Sequence, residues 1–201
     1  AMDSAAAAIE RLCDPTCEVS AHYVIDTDGT ITQLVSEDMR AWHAGAGAWG
    51  DVTDVNSHSI GIELDYCPPF EGVLEFDTRQ IPALKALMVD ILARRPEITP
   101  VRVIGHSDMA PARKFDPGPQ FPWRELAQAG LSIWPEDVNE QTPDWDVFKQ
   151  AAIEFGYRAP NDDVDGWNAV LFAFRTRFNP QQSGEISGRD MGVILTLEAL
   201  S

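Results

Sequence analysis

Residues 18–35, EVSAHYVIDTDGTITQLV, decide how this 201-residue chain is read. Two runs rich in β-branched and aromatic residues, Val19 to Ile25 and Ile31 to Val35, flank Asp28-Gly29. That dipeptide between strand-forming runs predicts a tight antiparallel hairpin, because glycine accepts the positive φ such a turn needs. Upstream, Ser4 is an N-cap candidate for a helix over Ala5 to Leu12, which Asp14-Pro15 ends. Downstream, residues 41–56 are rich in Gly and Ala, carry Trp42 and Trp49, and read as a loop. Ser59 to Asp65 then alternates. Ile60, Ile62 and Leu64 share one face, and Ser59, Gly61, Glu63 and Asp65 share the other.

Asp77 or Thr78 can cap the next helix, whose buried stripe is Ile81, Leu84, Leu87, Met88, Ile91 and Leu92. Val101 to Ile104 reads as a short buried strand running into Gly105-His106-Ser107-Asp108, then a proline-dense loop as far as Pro122. Trp123 to Ala129 is a short helix. The order helix, hairpin, strand, helix, strand, helix predicts an α/β domain over 1–134, a mixed β-sheet covered by helices. Composition then shifts. Pro135 to Pro143 is polar and acidic, a linker, and 144–201 holds three amphipathic helical patterns. These run over Asp144 to Phe155, Val164 to Phe178 and Arg189 to Leu200, and predict a small three-helix bundle.

Lys and Arg number 15 against 32 Asp and Glu, a formal net charge of −17, which argues against nucleic acid or a polybasic membrane surface as partner. No apolar run reaches the length of a transmembrane segment. Cys13 and Cys17 could pair but would leave Cys67 over, so ordinary thiols are expected.

Chemistry is expected where loops leave the scaffold. His106 and Asp116 are of zinc-ligand type, but a catalytic zinc takes three protein ligands, and these supply two. The plainer reading is a His at a strand end and an Asp opening a turn before Pro117. Glu63, on the polar face of its strand, either faces a cleft as a general base or faces solvent. Lys114 is either an electrophile or a surface lysine. His22, His43 and His58 read as a hydrogen-bonded strand His, a loop His and a surface His.

In combination, EVSAHYVID, DGTITQLV, RAWHAGAGAWG, NSHSIGIELD and IGHSDMAPARKFDPGPQFPW resemble, in order and spacing, the zinc-dependent N-acetylmuramoyl-L-alanine amidases of type 2. These are relatives of the peptidoglycan recognition proteins. The resemblance covers about residues 2 to 130, and 144–200 more weakly resembles a three-helix peptidoglycan-binding domain. It implies His106 and Asp116 as zinc ligands, Glu63 as the catalytic glutamate and Lys114 as the oxyanion partner. Trp42 and His43 match positions lining the substrate groove. The implied reaction is hydrolysis of the amide between muramic acid and L-alanine in peptidoglycan or muropeptides.

One departure stands out. The family's first zinc ligand is a His at the end of a first strand, and no residue here matches it. That strand is expected upstream of residue 1, or lost, with His22 the nearest substitute by sequence. A chain lacking the strand would expose a sheet edge, so pairing with a second copy as a homodimer is expected, or else rearrangement of the early residues. An incomplete ligand set also suits a non-catalytic peptidoglycan-binding module. The resemblance implies the periplasm or cell envelope, with the cytoplasm as alternative.

Overall fold

The computed structural model describes residues 4–66 and 76–200. Cys67 therefore lies outside the described residues. The chain divides into two compact units that are not collinear with it, Ala1–Gly45 with Asp54–Glu97, and Ala46–Thr53 with Ile98–Ser201.

Among the described residues, the first unit is a mixed three-stranded sheet with helices against it. Helix α1 (Ala5–Cys13) starts at Ser4, whose hydroxyl accepts the Ala7 N–H, and Asp65 accepts the Ala5 N–H at 2.9 Å. Strands β1 (Tyr23–Ile25) and β2 (Ile31–Gln33) form the expected antiparallel hairpin, with Val24 opposite Thr32. Its turn needs Gly29, which has φ +87° and stands where a Cβ would lie 2.8 Å from the Arg79 carbonyl oxygen. Strand β3 (Ile62–Leu64) pairs parallel with β1, giving the order β2-β1-β3. All three strands are shorter than the alternation predicts, because the ladder ends where the partner strand does.

Helix α2 (Gln80–Arg94) buries Ile81, Leu84, Leu87, Met88 and Ile91 as expected, while Leu92 is half-buried. Gln80 is the addition. Fully buried, its amide donates to the carbonyls of Ile25 and Asp65 at 3.0 and 2.9 Å, tying α2 to β1 and the end of β3. The cap is also corrected. Arg79 occupies the N-cap without a side-chain bond, because Asp77 turns its carboxylate to the N–H and guanidinium of Arg79.

The second unit is helical. Val101 to Ile104, expected as a strand, is instead a 3-10 turn at Pro100–Arg102 followed by extended backbone. Pro100 sits in the first turn of that helix, where a residue with no N–H costs nothing, and no strand among the described residues pairs with Val103 or Ile104. His106 consequently opens a one-turn helix, α3 (His106–Met109), rather than ending a strand. Helix α4 (Trp123–Gln128) follows.

Helices α5 (Trp145–Phe155), α6 (Val164–Phe178) and α7 (Gly188–Glu198) match the three patterns to within one or two residues. Asp144, Asp163 and Ser187 cap them, each accepting an N–H of the first turn. Phe148, Phe155, Tyr157, Trp167, Phe174 and Met191 belong to their shared core. Each such side chain contributes roughly 1.5–3 kcal/mol through burial. In the segment 135–143, the Gln141 N–H is bonded to the Gly188 carbonyl at 2.9 Å, so its end packs on α7.

Candidate active site

The candidate residues fall in both units and are described unit by unit. In the first, Glu63 is the middle residue of β3, in register with Val24. It is exposed while Ile62 and Leu64 are half-buried, as the alternation predicts. Just before β3, Gly61 carries the ring of His43. A Cβ at Gly61 would lie 2.3 Å from Cγ of His43, so only glycine leaves room for the imidazole. Asn56 Oδ1 accepts the N–H groups of His43 and Ala44 at 3.0 and 2.8 Å, holding the loop there. Trp42 is 47 % exposed, with the Arg40 guanidinium 5.9 Å from its ring centroid.

His22 has both ring nitrogens engaged. Nδ1 accepts the Gly61 N–H at 3.0 Å, so Nε2 carries the proton and donates to the Met39 carbonyl, also at 3.0 Å. With both nitrogens committed and the residue 1 % exposed, His22 is a structural histidine and is not available as a substitute metal ligand.

In the second unit, His106 and Asp116 meet: Nδ1 lies 3.0 Å from Oδ2. Two backbone features bring the ten-residue loop back. The Ser107 N–H is bonded to the Asp116 carbonyl at 2.9 Å, and Gly105, without a Cβ, admits Pro117, whose Cδ would be 2.7 Å from one. Partial desolvation works to raise the Asp116 carboxyl, but the His106 imidazole and Lys114 outweigh it and hold it below the usual aspartate value. Lys114 is half-buried, its N–H on the Ala110 carbonyl. Arg113 donates through Nε and Nη2 to the Ala46 carbonyl, at 3.0 and 2.6 Å.

As they stand, Nδ1 and Oδ2 are hydrogen-bonded at 3.0 Å, closer than the roughly 3.3–3.6 Å between two donors 2.0–2.2 Å from a tetrahedral zinc. This pair suits zinc in kind, a ring nitrogen beside a carboxylate oxygen. It does not suit zinc in number, since among the described residues no third His, Cys, Asp or Glu joins the two. The aromatic stripe of the middle C-terminal helix, α6, is mostly core. Trp167, Phe174 and Phe178 are buried, whereas Phe172 is 54 % exposed and its ring stands 5.8 Å from that of Phe115.

Sequence reasoning missed Asn56 and Gly61, and it missed Asp108, Tyr157 and Arg177, which reappear below. One signal was available for Arg177, since an arginine flanked by Phe174 and Phe178 on an otherwise apolar helix face demands a buried partner.

The first unit thus offers a mixed sheet with helices against it and a strand-borne carboxylate, and the second a His–Asp donor pair, the side-chain kinds a hydrolase uses. The N-acetylmuramoyl-L-alanine amidase family model matches residues 1–119, and the chain belongs to that family, the type 2 amidases. It is 43% identical to the N-acetylmuramoyl-L-alanine amidase AmiD of Escherichia coli K12, over 81% of this chain and 67% of that protein. To the 1,6-anhydro-N-acetylmuramyl-L-alanine amidase AmpD of Haemophilus influenzae it is 42% identical over 52% of this chain, spanning about half (55%) of that protein. The structure of E. coli AmiD in complex with anhydro-N-acetylmuramic acid-L-Ala-D-γ-Glu-L-Lys superposes with a TM-score of 0.88 at 33% identity, covering 98% of this chain and 85% of the other. AmpDh3 from Pseudomonas aeruginosa with anhydromuramic pentapeptide gives 0.86 at 33% identity, covering 97% and 87%.

Proposed function

We propose that this chain hydrolyses the amide between the lactyl group of N-acetylmuramic acid and the L-alanine of the stem peptide, with anhydromuropeptides as substrates. The observation that carries this reading is the His106–Asp116 donor pair at 3.0 Å, in a member of the amidase family. His106 and Asp116 would hold zinc, which when bound polarises the scissile carbonyl and makes water acidic enough to attack at neutral pH. Glu63 takes the proton from the attacking water on its carboxylate and delivers it to the departing amine. The Lys114 ammonium stabilises the charge that develops on the carbonyl oxygen. Trp42 and His43 line the groove that receives the muropeptide.

No helix among the described residues is long and apolar enough to cross a membrane. A cell-wall-derived substrate supports a periplasmic or cell-envelope location, with the cytoplasm as the alternative. In this reading 144–201 is a wall-binding segment attached to an amidase module over 1–134, and a homodimer would pair through an edge of the sheet. Light scattering with and without a charge on that edge tests the pairing.

One observation favours a second reading. The described residues hold two zinc donors rather than three, which suits a module that binds muropeptide without cleaving it. The test measures zinc content and release of L-alanine-terminated peptide, for this chain and for one extended upstream of residue 1. Stoichiometric zinc with hydrolysis lost in Glu63→Gln supports the enzyme. Stoichiometric zinc and tight muropeptide binding without hydrolysis in either form overturns it in favour of the binding module.

A further inference from the structure

Helix α6 carries two buried Arg–Asp pairs, and they hold different things. Arg175 bonds Asp190 at 2.6 Å and also donates to the carbonyls of Gly184 and Glu185, tying α6 to the segment that leads into α7. Arg177 reaches Asp108, on the same short helix as His106. Its Nη1 donates to Oδ2 at 2.8 Å, and its Nη2 donates to the Val103 carbonyl at 2.9 Å and to Ser132 Oγ at 3.3 Å. Tyr157 donates its hydroxyl to Asp108 Oδ1 at 2.7 Å, and Oδ2 also takes the Gly105 N–H at 2.8 Å. The guanidinium stands 4.1 Å from the Trp123 ring centroid and 4.6 Å from that of Phe178. Asp108 and Tyr157 are 0% exposed and Arg177 2%.

These bonds fall on both sides of His106. Val103 and Gly105 precede it, and Asp108 follows it. A one-turn helix has too few internal bonds to hold its own geometry, so the backbone at His106 takes its position from what grips its flanks. The gripping groups are a fork-shaped guanidinium and a phenol from the C-terminal helical segment. A buried carboxylate tolerates little displacement, because each lost donor leaves a charge stranded away from water. The pair is neutral overall, so its effect on His106 is one of geometry rather than field.

We infer that Arg177 and Tyr157 are positioning residues for His106, which makes the C-terminal helical segment a structural part of the zinc-donor loop rather than only an attachment to the wall. The inference rests on the reading of His106 as a zinc ligand.

The test uses the full chain with Arg177→Met, Arg177→Lys and Tyr157→Phe, and Arg175→Met as the control from the other buried pair. Cobalt(II) affinity is read by chelator competition against the visible absorption of the bound ion, and amide exchange over 103–110 and the unfolding temperature are measured alongside. Groups that orient a metal ligand typically change affinity by about 10- to 100-fold, and Arg177→Met is expected at about 10-fold or more, with faster exchange over 103–110. Arg177→Lys, which keeps the charge and loses the fork, recovers part of the loss. Arg175→Met lowers the unfolding temperature while cobalt affinity stays within about twofold, as for an uncoupled site. Wild-type cobalt affinity in Arg177→Met, or the same loss in Arg175→Met at equal destabilisation, overturns the inference. Should Arg177→Met not fold, Tyr157→Phe keeps the ring and carries the test, and unchanged affinity and exchange there overturn it. No cobalt absorption in the wild-type chain, or absorption insensitive to His106→Ala, defeats the zinc reading and the inference together. A His106-dependent spectrum with insensitive Arg177 variants defeats the inference alone.

Discussion

Replacing Gly61 by alanine adds one methyl group where the first unit has no room for it. The new Cβ would stand 2.3, 2.5 and 2.6 Å from Cγ, Cδ2 and Nδ1 of His43. Non-bonded carbon atoms settle at about 3.5–4.0 Å, so the imidazole must retreat by about 1 Å or more. Behind it stands His22, its ring edge-on at a centroid distance of 5.5 Å and pinned through both nitrogens. The His43 backbone is itself fixed on Asn56. Gly61 is not among the positive-φ glycines, so alanine suffers no backbone strain and would, without the clash, stabilise by about 0.4–1 kcal/mol through the unfolded state. Overpacking a filled site costs about 1–3 kcal/mol, so the clash wins by a net of about 1–2 kcal/mol. The Gly61 carbonyl accepts the N–H groups of both His22 and Tyr23, so a shift here passes into the β1–β3 pairing two residues before Glu63. Urea unfolding should show the lower midpoint, and muropeptide hydrolysis should fall with it. Adding His43→Ala removes the clashing ring and should recover most of the lost stability. A Gly61→Ala chain as stable as wild type, or a loss that His43→Ala leaves untouched, refutes the reasoning.

Glu63→Gln should lower kcat for muropeptide hydrolysis by about 10²–10⁴, the worth of a positioned proton carrier, with stability within about 0.5 kcal/mol because the residue is exposed. Hydrolysis within tenfold of wild type would remove Glu63 from the mechanism. His22→Phe strands the Gly61 N–H and the Met39 carbonyl, at about 1–3 kcal/mol each, and should show in the unfolding temperature but not in zinc content. Zinc lost from a folded His22→Phe chain would instead make His22 a ligand. The Arg94 guanidinium holds Glu37 below the ordinary glutamate value of 4.5, against desolvation and with help from the Tyr23 hydroxyl. Its folded pKa is the lower one, so its stabilisation is complete above the unfolded value and fades as pH falls through the folded one. Glu37→Gln should therefore flatten the acid limb of stability between roughly pH 5 and 3, and an unchanged slope there counts against the pair.

The features legible in the sequence are those set by neighbours along the chain. Ser4 caps its helix as expected, because a cap reaches only two or three residues. Asp28-Gly29 makes its hairpin for the same local reason, and the alternation through Ile62-Glu63-Leu64 turns Glu63 outward, since side chains change face at every residue. His106 and Asp116 were paired by the family resemblance rather than by their spacing, and the structure closes the ten-residue loop between them. Where bonding is long-range, pattern was silent. Val101 to Ile104 has a strand's composition, yet a strand is completed by a partner's carbonyls and amides, and none is present among the described residues. His22 looked available until Gly61 and Met39 claimed its two nitrogens. Asp108 and Arg177 are 69 positions apart, and nothing in either neighbourhood names the other. Sequence by itself determined the helices, the hairpin and the chemical kinds at the site. Only the tertiary structure decided which buried charges answer one another, because burial makes every stranded charge costly and the fold alone determines which residues lie near enough to relieve it.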